Sequence, residues 1–206
     1  MELKLKICGM REKQNIAEVA ELGPDYMGFI FYPGSKRYAA DLTTELPQHV
    51  KKTGVFVNQP IGVILEYILK YKLSAVQLHG NESPAYCAQF KELGLRIELI
   101  KAFGLSETFD FDQLTAYQEF VDYFLFDTQT AGHGGSGKLF NWKLLEQYHL
   151  DTPYFLSGGI GPQQVQLIKE IQDNRLYAVD INSRFELEPG LKNIDQLREF
   201  KNKLFH

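Results

Sequence analysis

The sequence predicts an α/β fold in which eight βα units close into a (β/α)8 TIM barrel, a single domain over residues 1–206. Three observations carry this expectation. Short apolar β-type runs alternate with helix-type segments along the whole chain. The starts of those runs recur about every 25 residues, the spacing of a barrel near its lower size limit. Several runs are continuously apolar, among them Met27-Gly28-Phe29-Ile30-Phe31, Gly54-Val55-Phe56-Val57 and Phe124-Leu125-Phe126. Such runs suit strands covered on both faces, as in a parallel sheet. An open doubly wound sheet is the competing arrangement, but eight units in so short a chain favour closure.

The elements follow in order. A first strand, Leu3–Cys8, leads to a helix over Lys13–Leu22 whose Ile16, Val19 and Ala20 share one stripe. The second strand, Tyr26–Phe31, is followed by Leu42–Lys51, which Pro47 makes a poor helix. Thr53–Val57 precedes Pro60–Tyr71, with Ile61, Ile64, Leu65 and Ile68 at helical spacing. After Ala75–Leu78, Ser83-Pro84 supplies an N-cap and a first-turn proline for a helix to Leu93. Ile97–Ala102 is followed by Glu107–Phe120, whose pattern is irregular. Tyr123–Phe126 runs toward the glycine-rich Gly132–Gly137, which reads as a functional loop, and Trp142 is expected to pack a helix on the barrel. Tyr154–Ser157 and Tyr177–Asp180 precede the amphipathic segments Gln163–Ile171 and Ile194–Leu204.

Composition narrows the function. The 206 residues are 44% hydrophobic and 23% charged, as in an ordinary globular protein. The net charge of −4, with no basic run longer than Lys51-Lys52, argues against nucleic acid as a partner. The 15 Phe and 11 Tyr read as packing and not as a base-stacking platform. No apolar run approaches the roughly 20 residues that span a bilayer. The N-terminus alternates polar and apolar residues, unlike a secretory signal. The two cysteines, Cys8 and Cys87, make no disulfide framework, so a reduced, cytoplasmic setting is expected. No two histidines stand at ligand spacing, which argues against a metal and against a metal-dependent epimerase.

In this fold the chemistry gathers at the C-terminal ends of the strands. The residues expected there include Cys8, Arg37, Gln77, His79, Asp127, Ser157-Gly158-Gly159 and Asp180-Ile181-Asn182-Ser183. The last two groups read as a phosphate cradle, because adjacent glycines leave backbone N–H groups uncovered and the loops after strands 7 and 8 are the usual phosphate site. Cys8 is either a small buried apolar residue or a functional thiol. Asp127 caps the next turn or acts chemically. His79 either hydrogen-bonds backbone or meets a ligand. Arg37 is either a surface charge or a fork for a substrate carboxylate. Cys87 reads as inert.

These strand ends, taken together, resemble the phosphoribosylanthranilate isomerase family. The matching segments are Lys6-Ile7-Cys8-Gly9-Met10, Tyr26 to Pro33 with Ser35-Lys36-Arg37-Tyr38, Gly54 to Asn58, Val76 to Glu82 and Ile100-Lys101-Ala102. They continue with Phe126-Asp127-Thr128, Gly134 to Lys138, Leu156 to Ile160 and Val179 to Ser183. Each motif alone is weak; their shared order and spacing are specific. The resemblance implies an Amadori rearrangement of N-(5'-phosphoribosyl)anthranilate in tryptophan biosynthesis, with no cofactor and no metal. It implies Cys8 as general base and Asp127 as general acid, with a thiol pKa that is lowered and a carboxyl pKa that is raised. It also places Arg37 at the anthranilate carboxylate, Asp180 at sugar hydroxyls or in support of the acid–base pair, Gln77 and His79 on the substrate, and Gly158, Gly159, Asn182 and Ser183 at the phosphate. The partner is then a small phosphorylated molecule, and the protein a monomer or homodimer.

The chain departs from the family pattern in two places. Ser136 stands where Thr is common, and Arg184-Phe185 follow Ser183 where Gly and a small aliphatic residue are common. For Arg184 two readings compete: contact with the phosphate, or a solvent-facing charge paired with an acid such as Glu186. Two rivals for the function are weaker. Indoleglycerol-phosphate synthase calls for a strand-end Lys and Glu set and a longer N-terminal extension. A catalytically dead barrel acting as a scaffold would have lost its acid or base, yet both Cys8 and Asp127 are present.

Overall fold

The computed structural model describes residues 2–42, 44–128 and 141–206. Eight parallel strands close into a barrel in chain order. They are β1 (Lys4–Cys8), β2 (Tyr26–Ile30), β3 (Lys51–Phe56), β4 (Ala75–Leu78), β5 (Glu98–Leu105), β6 (Tyr123–Thr128), β7 (Tyr154–Leu156) and β8 (Leu176–Ile181). β1 pairs with β2 on one side and β8 on the other, which closes the ring. The expected strands all form, with ends shifted by a few residues.

The helices are α1 (Lys13–Glu21), α2 (Ile61–Tyr71), α3 (Pro84–Glu92), α4 (Val165–Lys169) and α5 (Ile194–Phe205). α3 starts as its sequence requires: Ser83 Oγ accepts from Tyr86 N at 3.2 Å, and Pro84 occupies the first helical position. α1 turns Ile16, Val19 and Ala20 inward. α5 buries Leu197, Phe200 and Leu204.

The two weak helical segments are not α-helices. In 42–51 the described residues form a turn at Pro47, where Val50 N donates to Pro47 O at 3.0 Å, and Lys51 already belongs to β3. Proline removes the donor and the φ freedom that a helix interior needs. In 107–120 only a 3-10 turn forms, over Phe111–Ala116, because the apolar residues do not recur at 3.6 spacing. Trp142 opens another 3-10 turn, Trp142–Gln147, and packs partly buried on the core. One element was not foreseen: a hairpin of β9 (Glu186–Glu188) and β10 (Leu191–Lys192) after β8.

The core has two parts. The larger lies between barrel and helices and draws on every strand. The smaller fills the barrel interior near the strand starts, with Tyr26, Ala75, Ile100, Leu125, Phe155 and Ala178, against which Tyr123 and Tyr177 pack. Buried phenols need partners. Tyr26 Oη donates to Glu98 Oε2 at 2.9 Å and lies 3.1 Å from Tyr177 Oη. This aromatic plug closes one end of the barrel. The opposite end, where the strands finish, is left for a polar pocket.

Candidate active site

The pocket holds about 780 Å³ of atom-free space and is open to solvent. It is lined by Cys8, Arg37, Gln77, His79, Asp127, Gly158, Gly159, Asp180, Asn182 and Ser183, together with apolar Ile30, Val55, Val57 and Ile160. All ten residues singled out in the sequence therefore meet in one place. The glycine-rich segment Gly132–Gly137, with His133 and Ser136, lies outside the described residues.

Cys8 ends β1, and register sets it opposite Gly28 of β2. A Cβ on residue 28 would stand 2.6 Å from Cys8 Sγ and 3.1 Å from Cys8 Cα, so the missing side chain is the space the thiol occupies. Two residues earlier on the same strand face, Lys6 also points into the barrel. Its Nζ meets Asp180 Oδ2 at 2.6 Å, and both side chains are buried. Lys6 and Asp180 are register partners across β1 and β8.

This triad of charges and thiol sets the local electrostatics. Burial pushes the Cys8 thiol above its ordinary value; Lys6 and Lys192 pull it back and Asp180 adds to the rise. The lowered thiol pKa implied by the family resemblance is thus not found, because desolvation outweighs the neighbouring cations. Burial also pushes the Asp180 carboxyl up, against the pull of Lys6. For Lys6 burial works downward, but the charges of Asp180 and Cys8 outweigh it and hold the ammonium.

Asp127 ends the apolar run of β6 and faces His79, whose Nε2 lies 3.5 Å from Asp127 Oδ2. His79 in turn meets Gln77 Nε2 through Nδ1 at 2.8 Å. The loop carrying His79 is clamped from behind. Glu82 accepts from Asn58 N at 2.8 Å and from Gly80 N at 2.9 Å, and pairs with Lys101 at 3.2 Å. Lys101 and Glu82 form a strand-end Lys and Glu pair, but both are buried and neither lines the pocket. They hold the loop in place and do not face a ligand.

Two buried acceptors in the pocket have no protein partner among the described residues: Gln77 Oε1 and Asp180 Oδ1. An unpaired buried acceptor costs on the order of 1–3 kcal/mol unless a ligand donor meets it.

The far side is cationic. Arg37 is fixed by Glu186, whose carboxylate accepts from Nε at 2.9 and 3.0 Å and from Nη2 at 2.6 Å. Glu186 also accepts from Lys192 Nζ at 2.7 Å, and Lys192 donates to Asn182 Oδ1 at 2.8 Å. With its oxygen engaged, the Asn182 amide keeps its NH2 group for an acceptor. Gly9, at φ 76°, lies between these groups; a Cβ there would stand 2.6 Å from Arg37 Cδ and 2.7 Å from Asn182 Oδ1. Gly158 and Gly159 also have positive φ, 89° and 67°, a conformation that favours glycine.

The Arg184-Phe185 departure resolves into two unlike residues. Phe185 is fully buried and packs edge-on against Phe200 of α5 at 4.9 Å. Arg184 is exposed, does not line the pocket, and lies against Gly161, where a Cβ would stand 3.3 Å from Arg184 Cβ. Glu186, the acid offered as its partner, is engaged by Arg37 and Lys192. The sequence assigns no role in the pocket to Lys192, Gly28 or Lys6, and offers Glu186 only as a partner for Arg184. The signal for Lys6 was its i, i+2 relation to Cys8 on one strand.

The chain is similar to known proteins over almost its whole length. The family model described as N-(5'phosphoribosyl)anthranilate (PRA) isomerase matches residues 5–203. An N-(5'-phosphoribosyl)anthranilate isomerase of Parabacteroides distasonis is 46% identical over 208 residues, covering 98% of this chain and 93% of that one. The crystal structure of phosphoribosyl anthranilate isomerase from Thermotoga maritima superposes with a TM-score of 0.84 at 36% identity, covering 98% of each chain. A phosphoribosyl anthranilate isomerase in complex with reduced 1-(o-carboxyphenylamino)-1-deoxyribulose 5-phosphate superposes with a TM-score of 0.81 at 34% identity, again over 98% of each. Matched from its first strand to its last helix, this chain belongs to the N-(5'-phosphoribosyl)anthranilate isomerase family.

Proposed function

We propose that the pocket isomerises N-(5'-phosphoribosyl)anthranilate to 1-(o-carboxyphenylamino)-1-deoxyribulose 5-phosphate, with Asp127 as general acid and Cys8 as general base. The observation that carries this reading is the convergence of Cys8, Arg37, His79, Asp127, Asp180 and Gly159, from six different loops or strand ends, on one pocket.

The chemistry is a sequence of proton transfers that Asp127 and Cys8 begin. Asp127 gives a proton to the ring oxygen of the ribose. The bond from that oxygen to C1 breaks, and the nitrogen lone pair forms a protonated Schiff base. Cys8 then removes the C2 proton, and the electron pair moves into the C1–C2 bond to neutralise the nitrogen. The resulting enolamine gains a proton at C1 and loses the hydroxyl proton on O2, which makes it the aminoketose. Burial holds the Cys8 thiol above its ordinary value. A cationic Schiff base beside Sγ offsets that burial, so the thiol gives its proton up to solvent as the Schiff base forms, and the thiolate is the base. Lys6, held beside Asp180, adds a second positive charge behind it.

Binding follows the walls of the pocket. Arg37 takes the anthranilate carboxylate. Asp180 and Gln77, which line the pocket, bind the sugar hydroxyls, and His79 orients Asp127. The backbone at Gly158, Gly159 and Ser183, with the Asn182 amide, takes the phosphate. No step needs a metal, and among the described residues no cluster of His, Cys, Asp or Glu is arranged to hold one. The protein acts as a single domain over residues 1–206, as a monomer or homodimer in the cytoplasm. Among the described residues no helix is long and apolar enough to cross a membrane.

The test is loss of fluorescence as phosphoribosylanthranilate, made in situ from anthranilate, is consumed. Turnover should persist after exhaustive EDTA treatment. No turnover, or turnover restored only by one divalent ion, overturns the reading.

A further inference from the structure

We infer that Glu186 is a positioning residue that holds the Arg37 guanidinium for a ligand with one carboxylate on an aromatic ring, and so sets the selectivity of the pocket for that group. The inference rests on the reading of Arg37 given above and adds the residue that makes Arg37 selective.

Glu186 does not line the pocket, and its side chain is 4% exposed. It grips Arg37 side-on, through Nε and one hydrogen of Nη2. The other edge of the guanidinium, Nη1 with the outer hydrogen of Nη2, has no protein partner among the described residues. Arg37 itself lines the pocket. A planar fork gripped along one edge cannot swing, so its second edge keeps one direction. Such an edge matches a carboxylate bidentately.

The charge balance points the same way. Glu186 stands between two cations, Arg37 and the buried Lys192. Burial alone would raise the Glu186 carboxyl, but Arg37 and Lys192 hold it below its ordinary value, so it is ionised. Burial pulls the Lys192 ammonium below its ordinary value and Glu186 at 2.7 Å opposes that pull, so Arg37 and Lys192 together face one carboxylate. Uncompensated charge out of water is costly, and one ligand carboxylate closes the balance. Glu186 also accepts from Gly190 N at 3.1 Å, which ties the hairpin turn to the same carboxylate. The β9–β10 hairpin is therefore the frame that sets where Arg37 lies.

The test measures inhibition by two probes: reduced 1-(o-carboxyphenylamino)-1-deoxyribulose 5-phosphate, and the phenylamino counterpart without the ring carboxylate. The wild type should bind the first at least about 10-fold more tightly, the effect of one charge-assisted pair. The double variant Glu186→Gln/Lys192→Met keeps the net charge of the wall, leaves no buried lysine unpaired and frees the Arg37 fork. Its ratio should fall to within about threefold of unity. A lost contact between Lys192 and Asn182 would weaken both probes alike and cancel in the ratio. A wild-type ratio in the double variant overturns the role of Glu186. A wild-type protein that does not discriminate overturns the carboxylate reading of Arg37 as well. If the double variant does not fold, Glu186→Asp, which keeps the charge and shortens the reach by one methylene, gives the same readout. An unchanged ratio there overturns the inference.

Discussion

His79 stands with Nε2 3.5 Å from Asp127 Oδ2, while Nδ1 of the same ring meets Gln77 Nε2 at 2.8 Å. An amide nitrogen only donates, so Nδ1 accepts and the ring proton sits on Nε2, facing the carboxyl of Asp127. Gln77 thus turns the ring so that Nε2 faces Asp127. Asp127→Asn keeps the shape and removes the acid. Its kcat should drop by about 10²–10⁴-fold, the usual contribution of one general acid. Binding of a reduced product analogue should remain. His79→Ala should lower kcat less than Asp127→Asn does, because it removes an orienting contact only. Near-normal turnover of Asp127→Asn would remove Asp127 from the mechanism.

Cys8 gives a prediction about pH. Its thiol is pushed above the ordinary value of 9.0 by burial. The raised pKa means that the free protein holds the protonated, unreactive form at neutral pH. Inactivation by iodoacetamide should therefore be slow at pH 7 and accelerate with no plateau below about pH 9. In turnover the cationic Schiff base favours the thiolate, so the basic group should titrate lower in kcat than in kcat/KM, since kcat reports the complex. An alkylation rate already level near neutrality would show that Lys6 outweighs burial. Cys87→Ser should retain full activity, as Cys87 is buried outside the pocket and burial pushes it up to about 11.

The site was legible in sequence where it follows from topology. Residues at the C-terminal ends of barrel strands must face one mouth, so Cys8, His79, Asp127 and Asp180 could be grouped before any coordinates. Glu186 and Lys192 were not legible, because Glu186-Leu187-Glu188-Pro189-Gly190 reads as a charged surface turn. Charged residues are rarely buried without partners, and partners 149 residues apart in sequence leave no local mark. The same reasoning explains the missed Lys6, buried only because β8 supplies Asp180. The helices failed to be read where proline or irregular spacing, at Pro47 and in 107–120, broke the period.

Gly28 tests whether the thiol position matters. Gly28 has no positive φ, so its backbone tolerates alanine; the obstacle is Cys8, with Sγ 2.6 Å from the added Cβ. Gly28→Ala must displace the thiol or shift β2 against β1. A misplacement near 1 Å costs about 10²-fold in rate, so kcat should fall by that order. Far-ultraviolet circular dichroism should show the barrel intact. Full activity in a folded Gly28→Ala would mean that Cys8 does not act from this position.

The two residues of the Arg184-Phe185 departure should respond in opposite ways. Arg184 is exposed, stands outside the pocket and lies beside Gly161. A phosphate contact is remote from the reacting carbon, so it would act equally on ground and transition states and appear in KM alone. It would also strengthen at low ionic strength, where charge contacts are less screened. From its position neither effect is expected: Arg184→Ala should leave KM within about twofold of wild type at low salt, because exposed charge pairs contribute little. A larger rise, confined to KM and lost at high salt, would place the guanidinium at the phosphate. Phe185 is fully buried and in edge contact with Phe200, which anchors the last helix to the loop after β8. Phe185→Ala should cost about 3–5 kcal/mol in stability, seen as a lower denaturation midpoint. That loop carries Asn182 and Ser183, so the same cavity should loosen the phosphate end and raise KM. A stable Phe185→Ala protein with unchanged KM would show that the loop is held from the barrel side alone, through Lys192 and Asn182.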